Sequence, residues 1–267
     1  MTAPLLRHTL LESRTILEFA ATTLALPFLL RAPSGKHPVM VLPGFLAGDN
    51  STLALRQFLK MKGYRAFGWQ QGRNLGQHIV PTEKMIREDL LERVLNLVEQ
   101  EKQPVHLIGW SLGGILAREI ARLMPDMVAS VISLGSPFNT PEASAPMASR
   151  IFKRFNQKRM GDDYIIPPEL AQAPPVPCTS IYSRSDGISH WQGCQQLGHE
   201  KHFENIEVKG SHLGLGHHPG VIWLIAHRLA ANAGCRSLQE WQPLNTNEAP
   251  RWLAGDIVSQ HNHSRED

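Results

Sequence analysis

The stretch Val105-His106-Leu107-Ile108-Gly109-Trp110-Ser111-Leu112-Gly113 is an apolar run that ends at a serine held between glycines. After it, Leu112, Ile115, Leu116, Ile120 and Leu123 repeat at helical spacing. A strand that turns at once into a helix forces its corner residue into a strained backbone conformation, and only small neighbours fit around it. The corner side chain is pushed out above the sheet, and the positive end of the new helix points at it. Ser111 therefore reads as a nucleophile. A serine between glycines is also an ordinary turn former; the strand before it and the helix after it favour the chemical reading.

Moving outward, further short apolar runs occupy 38–42, 64–68, 128–134, 179–182 and 206–208. Such runs mark strands buried on both faces. Helical periodicity fills 53–61, 81–101, 112–124 and 221–233, with Ile86, Leu90, Val94, Leu97 and Val98 forming the apolar stripe of the second. Strands alternating with helices imply an α/β fold, a mostly parallel sheet of about six strands with helices on both faces. In such sheets ligands bind beyond the carboxyl ends of the strands. Residues 138–177 break the rhythm with seven prolines and two short helical pieces. An excursion of this kind, just after a strand's end, suits a lid or a binding wall.

At 267 residues the chain has length for one large domain. Its net charge of +3 demands no nucleic-acid partner. The basic run Lys153-Arg154 with Lys158-Arg159 reads as a solvated helix face. Three cysteines, Cys178, Cys194 and Cys235, form no C-x-x-C pair. The odd count points to a reducing, cytoplasmic setting, with a single Cys178–Cys194 bridge as the alternative. His199 and His202 lie three apart, which is not zincin spacing, and no other metal motif is present.

Residues 1–33 read as an amphipathic helix. Glu12, Arg14 and Glu18 interrupt its apolar pattern, and the charge-free part, 19–30, is only twelve residues long and holds Pro27. A spanning helix needs about 20 apolar residues. Docking on the domain's own surface is the favoured reading, and peripheral membrane contact is the second. The expected organisation is that helix, a domain over 34–242 with its insertion at 138–177, and a C-terminal extension over 243–267, frayed from Ser259 onward.

Serine needs an adjacent base to become nucleophilic. His212 follows the run at 206–208 in Lys209-Gly210-Ser211-His212-Leu213-Gly214. Its rivals, His217 and His218, stand nearer the next helix and read as cap or rim residues. Asp186 follows the run at 179–182 and is placed to accept the imidazole Nδ1–H and fix its tautomer. The backbone N–H groups of Leu112 and Phe45 are the candidate oxyanion donors. Trp110, Phe138, Ile151, Phe152, Phe155 and Trp191 could bind an apolar substrate group, with ordinary packing the plainer account. Asp49 and Asn74 read as loop-structuring residues.

Together these segments resemble α/β-hydrolases of the bacterial lipase and esterase type. Residues 179–186 resemble the acid-bearing strand of the small Bacillus-type lipases, 208–214 their histidine loop, and 131–137 the strand after the nucleophile helix. The resemblance implies a serine carboxylic-ester hydrolase with Ser111, Asp186 and His212 as its triad. It implies no metal or organic cofactor and a small-molecule or lipid ester as substrate. Acyl transfer by the same triad and a non-catalytic membrane-surface scaffold are the alternatives. Pro43-Gly44 replaces the His-Gly that many relatives carry before the oxyanion residue, and the insertion is absent from the smallest lipases.

Overall fold

The apolar runs assemble into one sheet. A computed structural model describes residues 6–79, 86–139, 146–160, 168–198, 200–233, 238–245, 248–250, 253 and 257–261. In chain order its elements are α1 (Leu6–Leu10), α2 (Thr15–Leu29), β1 (Pro38–Leu42), α3 (Leu53–Met61), β2 (Arg65–Gly68), α4 (Glu88–Glu101) and β3 (Val105–Trp110). There follow α5 (Leu112–Leu123), β4 (Val128–Leu134), α6 (Pro146–Met160), β5 (Cys178–Tyr182), β6 (Phe203–Val208), α7 (Pro219–Asn232) and β7 (Ile257–His261). The sheet order is β2-β1-β3-β4-β5-β6-β7. The first six strands are parallel, and β7 pairs antiparallel with β6.

Strand alternation sorts the core into two layers. Val39, Val41, Ile108, Ile132 and Ile181 pack with α3 and α7 and receive Leu29 from α2. Met40, Leu42, Leu107 and Val131 face the other way and pack with α4 and α5. The loops after β1, β3, β5 and β6 therefore converge at one edge, beyond the carboxyl ends of the strands.

Three expectations are corrected. The second long helix starts at Glu88, not at residue 81; Ile86 lies outside it and bridges Ile79 in antiparallel fashion. Extended Arg87 precedes the helix, and Asp89 holds both the Arg87 guanidinium at 2.7 Å and His78 at 3.2 Å. Residues 80–85 lie outside the described residues. In the insertion, α6 is fifteen residues long rather than a short piece, and a 3-10 turn at Pro168–Ala171 follows. Residues 259–261, expected to fray, belong to β7, where the open edge of β6 supplies partners for their backbone. Cys178 and Cys194 are free, buried thiols rather than a bridge; Cys235 lies outside the described residues.

The N-terminal segment docks on the domain, but by its polar side chains. Glu12 and Glu18 face inward, whereas Leu10, Ile16, Leu17 and Leu24 point to solvent. Among the described residues of the segment, Leu29 and Ala32 join the core, and partly buried Ala25 packs against it.

Candidate active site

Ser111 sits between β3 and α5 with φ 53° and ψ −119°, a strained conformation for a residue with a Cβ. Its N–H donates to the Leu134 carbonyl at 2.8 Å, and its own carbonyl accepts from Gly114 N–H at 2.9 Å. The glycines around it are needed for space. A Cβ on Gly109 would strike the backbone of Gly113 and Gly114, and one on Gly113 would strike the Leu42 and Pro43 carbonyls. The turn is thus wedged between β4 and the loop after β1.

Asp186 and His212 meet at that edge. His212 Nδ1 lies 2.6 Å from Asp186 Oδ2, and both side chains are buried. Asp186 Oδ1 accepts from Ile188 N–H at 2.8 Å and Ser189 N–H at 2.7 Å, which leaves Oδ2 for the imidazole. Burial pulls the His212 pKa down. The charge of Asp186, its hydrogen bond and the charge of Glu12 outweigh that effect, so the pKa is raised above its ordinary value. Gly135, at the end of β4 with φ 55°, keeps the space open. A Cβ there would lie 3.1 Å from His212 Nδ1 and 3.2 Å from Asp186 Oδ2. Gly135 directly follows Leu134, which holds Ser111, so the three side chains share one end of the sheet.

The loop after β1 brings Phe45 to the same place. A Cβ on Gly44 would lie 3.4 Å from Ser111 Cβ. Buried Asn74 pins this loop: its Nδ2 donates to the Pro43 carbonyl at 2.8 Å, and its backbone exchanges bonds with Leu46 and Ala47 at 2.7 Å each. Among the described residues, no hydrogen-bond partner takes the Phe45 or Leu112 N–H. Asp49 accepts from Trp69 and Gln70 N–H, so it too organises a loop.

The candidate substrate residues separate. Phe152, on α6, packs edge-on against Phe45 at 5.4 Å, and exposed Phe155 approaches the same ring at 6.2 Å. Trp110 and Phe138 are instead core residues. Trp110 Nε1 donates to the His212 carbonyl at 3.0 Å, and the Arg118 guanidinium lies 3.6 Å over the Phe138 ring. Trp191 stacks on Tyr182 and carries Arg184 at 4.5 Å. The rival histidines have other work. His218 caps α7 by accepting from Gly220 N–H, and His217 lies edge-on between Phe19 and Trp110.

The sequence reading missed Glu12 and Glu18. Glu12 accepts from the N–H groups of Gly187, His212 and Leu213, and Glu18 accepts from Ser211. Their one signal in the sequence was that they interrupt an apolar helix.

Comparison with known proteins agrees with this architecture. The family described as a PGAP1-like alpha/beta domain matches residues 57–164. A pimeloyl-[acyl-carrier protein] methyl ester esterase from Aeromonas salmonicida is 36% identical over 62 residues, 22% of this chain and 24% of that protein. The match thus spans about a quarter of that relative's length. Aspergillus fumigatus lipase B superposes with a TM-score of 0.53 at 15% identity, over 77% of this chain and 56% of that one. An alpha/beta hydrolase enzyme from the metagenome of lagoon sediments at Mar Chica, Morocco, gives 0.50 at 16% identity, over 74% and 91%. With its parallel sheet, its strained serine turn and these neighbours, the chain has the α/β-hydrolase fold.

Proposed function

We propose that the protein is a serine carboxylic-ester hydrolase. The observation that carries this reading is the buried Asp186–His212 pair, 2.6 Å apart, at the same edge of the sheet as the strained Ser111 turn. His212 Nε2 takes the Ser111 Oγ proton as the oxygen attacks the ester carbonyl. The Phe45 and Leu112 N–H groups receive the negative charge on the carbonyl oxygen. His212 then passes the proton to the departing alcohol, which leaves an acyl group on Ser111. Water, deprotonated by His212, attacks that acyl group and releases the acid, and Ser111 recovers its proton. Asp186 stays ionised and stabilises the imidazolium. Phe152 and Phe155 form an apolar wall for the acyl chain, and α6 acts as a lid. The relatives named above as esterase and lipase support the reaction class.

The direct test is a fluorophosphonate probe, with the adduct located by mass spectrometry. The expected result is a single adduct on Ser111 in the native chain and none in Ser111→Ala. A folded native chain that takes no label at Ser111 would overturn the proposal in favour of a non-catalytic role.

A second reading concerns where the ester is met. Among the described residues no helix is long and apolar enough to cross a membrane. Yet Leu10, Leu17 and Leu24, seven residues apart, stand 72%, 72% and 81% exposed. Leu213, beside His212 and bonded through its N–H to Glu12, is exposed as well. The face fits a lipid surface that presents its ester to Ser111.

A further inference from the structure

Two loops carry the acid and the base, and neither satisfies all of its own backbone. After β5, the Gly187 N–H points away from the loop; after β6, the N–H groups of Ser211, His212 and Leu213 do the same. Buried N–H groups must find acceptors. The acceptors come from the far end of the chain.

Glu12 lies in a 3-10 turn, Leu11–Arg14, and is 7% exposed. Its Oε1 accepts from Gly187 N–H at 2.8 Å and from His212 N–H at 3.0 Å. Its Oε2 accepts from Leu213 N–H at 2.9 Å. One carboxylate thus joins the residue after Asp186 to the backbone of His212. Its neighbours act in the same sense. Arg14 Nη2 donates to Ser185 Oγ at 2.7 Å, to the Ser185 carbonyl at 3.1 Å and to the Gly210 carbonyl at 2.5 Å. Glu18 accepts from Ser211 N–H at 2.8 Å and from Ser211 Oγ at 2.5 Å. Thr9 Oγ1 donates to the Gly187 carbonyl at 2.8 Å.

The loops are shaped to receive this strap. A Cβ on Gly187 would meet the His8 carbonyl and lie 2.6 Å from Thr9 N, so backbone touches backbone there. A Cβ on Gly214 would run into the Glu18 carboxylate. A helix docked merely for stability turns its apolar face inward. This one turns charges inward and leaves leucines in solvent, an arrangement that costs desolvation and is offset only by the bonds the carboxylates make.

We infer that Glu12 is a positioning residue for the catalytic histidine, a second buried carboxylate that fixes the His212 backbone while Asp186 fixes its ring. The inference rests on the hydrolase reading. It adds to the triad a requirement for residues 9–18, which the strand-and-loop pattern of the domain does not contain. Glu12 also adds negative charge behind the imidazole. Asp186 is the other charge that acts on His212; Arg14 and Glu18 on the strap bond to the neighbouring loop residues Gly210 and Ser211, His217 and His218 follow in the same loop, and Cys194 feels the Asp186 charge.

The test uses Glu12→Gln and Glu12→Ala in the full chain. The first keeps shape and one acceptor but presents an amide N–H₂ to Leu213 N–H. Imidazole titration is followed by NMR, with the His212 signal assigned by its loss in His212→Asn. The variants' kcat, KM and pH profile on a soluble p-nitrophenyl ester are measured beside it. In Glu12→Gln the His212 titration moves to lower pH and the acid limb of kcat/KM moves with it, because a lost negative charge favours the neutral ring. In Glu12→Ala kcat falls at least about tenfold while KM changes little, the mark of lost positioning. Gly187→Ala, which lifts the strap with Glu12 intact, lowers kcat in the same way. It decides the question should Glu12→Ala fail to fold. An unchanged His212 titration with unchanged kcat, even beside a lower melting temperature, would reduce the strap to a docked helix and overturn the inference. A native chain that hydrolyses no ester sinks the hydrolase proposal instead, and the NMR titration still decides whether Glu12 acts on His212.

Discussion

In the proposed mechanism His212 sets the working pH of the site. Its burial lowers the pKa, and the Asp186 and Glu12 charges raise it further than burial lowers it, for a net upward shift. As a base it acts only when neutral, so the acid limb of kcat/KM should fall above the ordinary imidazole value of about 6.5. The same proton acts on stability in the opposite direction. The native state holds it more tightly than the unfolded chain, so this contribution is complete below about pH 6.5 and is lost as pH rises through the folded value. Asp186→Asn tests the pair directly. The amide keeps the shape but removes the charge and favours the wrong tautomer, and a loss of about 10⁴-fold in kcat is the scale for such a change. A pH–rate profile with its acid limb at or below about 6.5, or an Asp186→Asn variant within about tenfold of the native kcat, would remove Asp186 from the role assigned to it. Of the residue-scale picture, Ser111, Asp186 and His212 were legible because each follows an apolar run at a loop with its own glycines. Glu12 was not. Its partners lie 175 to 201 positions away, and nothing local marks a carboxylate as the acceptor for three distant N–H groups.

The elements were legible where burial is continuous. Runs such as 38–42 and 128–134 are apolar on both faces, and the sheet has them as β1 and β4. Where tertiary partners decide, the pattern fell short. β7 reads Ile257-Val258-Ser259-Gln260-His261, too polar to announce a strand, and it forms because β6 offers an open edge. The N-terminal segment shows the same limit. Its periodicity gave an amphipathic helix but not which face turns inward, since the buried N–H donors it serves are tertiary. That outward apolar face carries the lipid reading. Removing the whole segment is a poor test, because Leu29 and Ala32 belong to the core. Leu17→Ser with Leu24→Ser is the cleaner change, as both side chains are largely in solvent. Each exposed leucine that enters an interface contributes on the order of 1.5–3 kcal/mol, so the pair should weaken binding to phospholipid vesicles by at least about 100-fold. Hydrolysis of a short soluble ester should stay at the native rate. Equal vesicle co-sedimentation of native and doubly substituted chains would exclude a lipid surface as the occupant of this face.

Across the whole molecule the chemistry and the anchorage occupy opposite ends of the sheet. The site gathers beyond the carboxyl ends of the strands. Near the start of β6, at the other end, Glu204 and Arg228 form a fully buried pair 2.7 Å apart. Glu204 also accepts from Thr179 Oγ1 at 2.8 Å and from Leu244 N–H at 2.7 Å, and Arg228 donates to the Gln242 carbonyl at 2.7 Å. The pair therefore joins β5, β6, α7 and the segment after α7, and closes the domain over the edge that β7 later covers. Arg228→Met keeps most of the volume but removes the Arg228 cation from the buried Glu204 carboxylate. Breaking a buried pair from one side costs about 3–5 kcal/mol, a large share of the 5–15 kcal/mol by which such a domain is stable. Urea unfolding should show that loss as a lower midpoint at constant slope. Glu204→Gln added to Arg228→Met removes the buried carboxylate charge while retaining acceptors, so the double variant should regain part of the loss. Because the pair lies far from the strand ends that carry Ser111 and His212, kcat per folded molecule should stay native in both variants. An Arg228→Met chain within about 1 kcal/mol of native stability would show that the pair does not anchor the C-terminal segment. A fall in its kcat at full folding would show instead that the two ends of the sheet are coupled.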